Sequence, residues 1–339
     1  MESLNIVFTG KDEVATRTEP VPELGAGQIL VQTHKTLIST GTEGIVLRRK
    51  FEAGTHWDNW VKYPFHPGYS NAGRVLQVGA GVQNFQPGDR VATRSSHGQY
   101  CLADASRAVK IPETIADEDA TWFGLAGIVQ NGVRAAEHAL GDVVVVVGLG
   151  LLGQLVVQYV RLMGAREIIA VDTARPRLEM ARTHGATQTL AMGVAEAHDA
   201  IQELTGGRLA DVVYDVTGHP AVFAPALKLV RKFGKLLLLG DSGNPSEQHL
   251  TADVVSRGLR IIGAHDTNPP ATATDRDYWT NIHMQQLFFS YLERGQMRVN
   301  DLVTHRYLPQ QAREAYAMLE TDRASAMGVL FDWTQVAAA

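Results

Sequence analysis

Residues 142–172 read DVVVVVGLGLLGQLVVQYVRLMGAREIIAVD. The short β-branched run Val143 to Val147 has the character of a strand buried on both faces. Gly148-Leu149-Gly150-Leu151-Leu152-Gly153 follows, then an amphipathic stretch to about Met163, then a second apolar run closed by Asp172. Each glycine has a mechanical reason. Gly148 allows the tight turn out of the strand, Gly150 lets backbone approach a pyrophosphate, and Gly153 lets the helix pack on the strand. The helix N-terminus offers free N–H groups to phosphate. Asp172 stands about 20 residues past the last glycine, where a carboxylate can accept from a ribose 2′-OH. Strand, turn, helix and acid together predict a dinucleotide-binding unit.

The same rhythm extends outward. Strands are expected at 143–147, 167–171, 211–215, 235–239 and 259–262, with helices near 127–139, 152–163, 175–184, 195–204, 220–231 and 251–256. That is the α/β pattern of a doubly wound parallel sheet. Residues 1–120 differ, with short alternating strands and turns at Gly79, Gly81, Gly88 and Asp89, as in a small β-rich, barrel-like domain. After Ala264 the rhythm stops. A helix near 280–294, a strand and helix over 302–319 and a closing strand near 327–332 complete the chain.

The chain has 339 residues, 45% hydrophobic and 20% charged, which suits two globular domains. A net charge of −5 gives no footprint for nucleic acid. The first residues lack an apolar core of signal-peptide length, and no run reaches the roughly 20 apolar residues of a membrane span. Cys101 is the single cysteine, which excludes an intrachain disulfide and a multi-cysteine zinc site. A cytoplasmic protein is expected.

Several stretches together resemble the medium-chain dehydrogenase/reductase superfamily, the alcohol dehydrogenase-like group. Pro67-Gly68-Tyr69-Ser70-Asn71-Ala72-Gly73-Arg74-Val75 with Val78-Gly79 resembles its G-H-E-x-x-G-x-V-x-x-V-G segment. Pro87-Gly88-Asp89-Arg90-Val91 matches its P-G-D-R-V turn, and Gly148 to Gly153 its cofactor loop. Asp215-Val216-Thr217-Gly218 and Leu302-Val303-Thr304-His305 match later segments. The resemblance implies a GroES-like catalytic domain over 1–121, a Rossmann NAD-binding domain over 122–265 and a return to the catalytic domain over 266–339. It also implies a homodimer through the strand near 259–262.

The departures concern the metal. Zinc members take ligands from a C-G-[ST]-D segment, the G-H-E histidine and a third Cys or acid. Here Thr40-Gly41-Thr42-Glu43 puts Thr40 at the Cys position, or Ser39 after a shift of one. Tyr69 replaces the His, and the third position falls near Leu125. None of these is a good zinc ligand. The four-Cys structural lobe is replaced by Ala92 to Tyr100. The chain is similar to zinc-free members, in the branch grouped with bacteriochlorophyllide hydroxyethyl dehydrogenase.

Without zinc, hydrogen-bond donors must stabilise charge on the substrate oxygen. Tyr69 and Thr42 are the first candidates, although the Tyr69 ring could instead simply pack. Glu43 is a further catalytic candidate, or else a structural partner of an arginine. His265, after the 259–262 strand, is either a proton shuttle or a loop residue bonded to backbone. Cofactor contacts are expected from Gly148, Leu149, Gly150, Leu151, Leu152, Gly153, Asp172, Arg177, Thr217 and Asn131. Thr40, Trp57 and Trp60 would line a substrate pocket, the tryptophans suiting a bulky or cyclic molecule. His34, His56, His66 and His97 show no ligand spacing and are assigned to surface or packing roles. Asp172 opposes a 2′-phosphate, so NAD is expected over NADP, and no zinc. The resulting expectation is hydride transfer between a nicotinamide and a small-molecule secondary alcohol or ketone. A carbon–carbon double-bond reductase of the quinone or enoyl type is the second reading. A non-catalytic dinucleotide-binding protein is the third.

Overall fold

A computed structural model describes residues 1–336. The chain divides into two compact units, one comprising 1–49, 56–125 and 272–339, the other 50–55 and 126–271. The second unit thus borrows a short piece from the first third of the chain, which its turn residues do not reveal.

In the first unit, β1 (Glu2–Gly10) and β2 (Glu13–Pro20) form an antiparallel pair. β3 (Gln28–Leu37) leads to helix α1 (Thr42–Arg48) and the short α2 (His56–Trp60). β4 (Asn71–Val78), β5 (Arg90–Thr93), β6 (Tyr100–Asp104) and β7 (Val109–Lys110) follow, then α3 (Asp117–Ala120). β3 pairs antiparallel with both β4 and β6. Inward residues such as Ile29, Val31, Val75 and Val91 form an apolar cluster there.

The chain enters the second unit within α4 (Phe123–Ala135), and that unit carries β8 (Val143–Val147), α5 (Leu151–Leu162), β9 (Glu167–Asp172), α6 (Arg175–His184) and β10 (Gln188–Ala191). Then come α7 (Ala197–Leu204), β11 (Ala210–Asp215), α8 (Pro220–Leu229), β12 (Val230–Leu238), α9 (Asp253–Ser256) and β13 (Arg260–Gly263). Its six strands run parallel in the order β10-β9-β8-β11-β12-β13, so the order reverses beside β8, the usual place for a ligand. All five residues of β8 are buried, as its unbroken valine run requires. Two departures from the sequence reading have local causes. β10 is an edge strand with exposed ends, so it lacks the apolar run that marks its neighbours. β12 begins at Val230 and passes through Phe233 at φ 62°, a kink no periodicity announces.

The chain then returns to the first unit with α10 (Asn281–Glu293), β14 (Val303–Tyr307), α11 (Ala312–Thr321) and β15 (Gly328–Asp332). β15 pairs antiparallel with β3, Leu330 opposite Leu37, and parallel with β14. Among the described residues no helix is long and apolar enough to cross a membrane.

Candidate active site

In the second unit the glycine loop has the geometry that phosphate binding needs. Gly148 sits at φ 91°, and a Cβ on Gly153 would lie 2.0 Å from the Gly148 carbonyl oxygen. A Cβ on Gly150 would meet open space, room for an anion at the start of α5. Leu149 and Leu151 are buried and Leu152 half-buried, anchoring the loop. Asp172 accepts from the Leu149 N–H at 2.7 Å through one oxygen and from the Ala174 N–H at 2.8 Å through the other. The acid therefore ties the loop to β9 besides its expected ribose role. Thr217 lies against Gly148 and donates its hydroxyl to Asp215 at 2.7 Å. Burial raises the Asp215 carboxyl above its ordinary value, against the bonds from Thr217. The Arg177 carbonyl accepts from Gln154 at 2.8 Å.

Asn131 donates to the carbonyl of His265 at 2.8 Å. The His265 ring is half exposed and bonds within its own loop, to Thr267 at 2.9 Å and Asp266 at 3.2 Å.

In the first unit a cluster of hydroxyls forms where α1 begins. The Ser39 hydroxyl is 2.5 Å from the Tyr69 phenol, and the Thr42 hydroxyl is 3.3 Å from it. Gly124 backs the tyrosine, since a Cβ there would sit 3.2 Å from the Tyr69 carbonyl oxygen. Burial raises the Tyr69 phenol above its ordinary value, against the bonds from Ser39 and Thr42. Thr40 faces a different small cleft, with Gly44, Leu47 and Tyr316. Of the two hydroxyls open at the Cys position, Ser39 is the one beside Tyr69.

Glu43 lies beneath this cluster, 2% exposed. It accepts from the Ser39 N–H at 2.7 Å, from the Tyr316 phenol at 2.5 Å, and faces His97 Nε2 at 3.1 Å. These partners stand in place of the arginine considered from sequence. His97 is fully buried and belongs to the site's support. No spacing rule could have selected it, because 54 residues separate it from Glu43. Trp57 is 4% exposed and contacts Trp60, which is 51% exposed.

Two family models match the chain. One, the alcohol dehydrogenase GroES-like domain, covers residues 25–147. The other, zinc-binding dehydrogenase, covers residues 152–276. The chain belongs to the alcohol dehydrogenase-like, medium-chain dehydrogenase/reductase superfamily. It is 28% identical to an L-threonine 3-dehydrogenase of Shewanella loihica, over 85% of this chain and 87% of that one. It is 24% identical to the uncharacterised zinc-type alcohol dehydrogenase-like protein YphC of Escherichia coli K12, over 95% and 97%. Among solved structures, an Escherichia coli CFT073 alcohol dehydrogenase complexed with NADH superposes with a TM-score of 0.80 at 21% identity, covering 98% of this chain and 99% of that one. A Sinorhizobium meliloti structure described as a zinc-binding dehydrogenase bound to NADP gives 0.81 at 18%, with the same coverage.

The match to zinc-binding dehydrogenases raises zinc, and the residues at the ligand segments do not fit it. Hydroxyls of Ser39, Thr42 and Tyr69 and the apolar Leu125 occupy the ligand segments, and neutral hydroxyls are poor zinc ligands. Among the described residues no three His, Cys, Asp or Glu side chains come together to hold a metal ion.

Proposed function

We propose that this protein is a zinc-independent, NAD(H)-dependent oxidoreductase that interconverts a secondary alcohol and a ketone. The observation that carries the reading is the Ser39–Tyr69–Thr42 hydroxyl cluster. A bound nicotinamide supplies or takes the hydride at C4. The glycine loop and the start of α5 would hold its pyrophosphate, and Asp172 its adenosine ribose.

The first unit supplies the proton. In ketone reduction the Tyr69 O–H donates to the substrate oxygen as the carbon gains hydride, leaving a phenolate. Ser39 orients that phenol, and the Thr42 hydroxyl relays a proton from water to the phenolate, giving up its own proton as it takes one from solvent. In alcohol oxidation the same group runs backward as base. Glu43 and His97 do not touch substrate in this scheme. Glu43 fixes Ser39 through its N–H, and His97 braces Glu43. The carboxylate of Asp172 favours NAD over NADP, because it repels a 2′-phosphate. The bulky substrate expected from Trp57 and Trp60 draws no added support, since Trp57 presents almost no surface.

The test is metal content set beside activity. Protein treated with chelator and shown to be metal-free should keep its full turnover of ketone with NADH. Stoichiometric zinc, with activity that disappears on its removal, would overturn the scheme. Turnover of conjugated enones but of no ketone or alcohol would move the protein to the double-bond reductases. Cofactor binding without turnover would leave only the dinucleotide-binding reading.

A further inference from the structure

Two charged residues lie near Tyr69, and the proton-transfer scheme gives neither of them a part in the acidity of the phenol. Arg94, in the segment after β5, holds its guanidinium carbon 4.9 Å from the centre of the Tyr69 ring. Glu43, on the first turn of α1, is one residue from Thr42 and bonds the backbone of Ser39, so both hydroxyls that touch the phenol are tied to the residue bearing this carboxylate. The two groups that hydrogen-bond the phenol, Ser39 and Thr42, are neutral. Glu43 in turn contacts His97 and Tyr316.

We propose that Arg94 and Glu43 together set the acidity of the Tyr69 phenol, Arg94 favouring loss of its proton and Glu43 opposing it. Both are then positioning residues acting through Tyr69, and the inference rests on Tyr69 being the proton donor. The physical need is plain. A free phenol titrates near 10, and burial moves Tyr69 further up. A donor that far above neutrality gives up its proton reluctantly. Glu43 is needed to hold Ser39, yet its negative charge makes the phenolate harder to form. An arginine, charged at every working pH, offsets that penalty from the ring face. Both charges act on Tyr69 in these directions.

The experiment is a pH titration of the Tyr69 signal in protein carrying 13C-labelled tyrosine, assigned by its loss in Tyr69→Phe. Arg94→Met should raise the Tyr69 pKa by about one unit, the low end for a charge at this range because Arg94 is exposed. Arg94→Lys should leave it near the wild-type value. Glu43→Gln, which keeps the size and most hydrogen bonds, should lower it by a similar amount. The falling alkaline limb of kcat for ketone reduction should move in the same directions. An unchanged Tyr69 titration in Arg94→Met and Glu43→Gln overturns the proposal. Arg94 is on the surface, so its variants test the point even if Glu43→Gln fails to fold. The phenol is read directly, so full turnover by Tyr69→Phe would remove the proton-donor role without obscuring the titration.

Discussion

At the scale of single residues, Asp172 and Glu43 are two carboxylates with different duties. Asp172 spends one oxygen on the glycine loop and one on the start of α6, and each oxygen retains a lone pair for a ribose hydroxyl. Asp172→Ser should change the ratio of NAD to NADP efficiency by about tenfold, the equivalent of 1.4 kcal/mol. Steady-state kinetics with both cofactors checks this, and an unchanged ratio would remove the discriminating role. Glu43 is a buried anion with three donors turned toward it. Glu43→Ala strands those donors and should cost about 3–5 kcal/mol in urea unfolding. Glu43→Gln should recover most of that loss. A loss below about 1 kcal/mol for Glu43→Ala would show that the network is not held by the carboxylate.

At the scale of elements, Asp211 joins three strands of the parallel sheet. It accepts from the Val143 N–H on β8 at 2.9 Å and from Arg231 on β12 at 2.5 Å, and Arg208 adds a bidentate pair. Burial raises its carboxyl, but the bonds from Arg208, Val143 and Arg231 outweigh that and hold it at about 2. Its folded pKa lies below the ordinary value, so its stabilisation is present above pH 4 and is lost as pH falls toward 2. Arg208 is half exposed, which discounts the contribution to about 1–2 kcal/mol. Asp211→Asn should therefore lower stability at pH 7 and flatten its dependence between pH 4 and 2. Equal slopes for the two proteins in that window would contradict this.

Elements were the part most open to reading from sequence. The valine run and the glycine loop each follow from local periodicity and backbone sterics. β10 escaped because an edge strand needs only partial burial. The site was half legible. Tyr69 and Thr42 could be singled out because they stand in two recognisable segments, Tyr69 at a ligand position. Ser39 required the register of one turn, which only the fold decides. His97, Tyr316 and Arg94 reach the cluster from 54, 273 and 25 residues away in sequence, counted from Glu43 or Tyr69, and no local pattern encodes such meetings.

At the scale of the whole molecule, the proposed scheme assigns cofactor phosphate binding to residues of the second unit and proton donation to residues of the first. β13 is an edge strand of the parallel sheet, and Val255 at 90% and Phe233 at 66% are exposed apolar side chains of the same unit. We expect a homodimer, with a solution mass twice the 36.9 kDa of the chain. A monomeric mass at micromolar concentration would exclude it.

The central proposal is that the Tyr69 phenol takes the part usually given to zinc. The direct measurement is turnover of ketone with NADH by metal-free Tyr69→Phe, with the NADH dissociation constant taken on the same sample. Loss of the hydroxyl should lower kcat by at least about 100-fold, the usual contribution of a positioned acid, and leave NADH binding unchanged. Wild-type turnover by this variant would contradict the assignment.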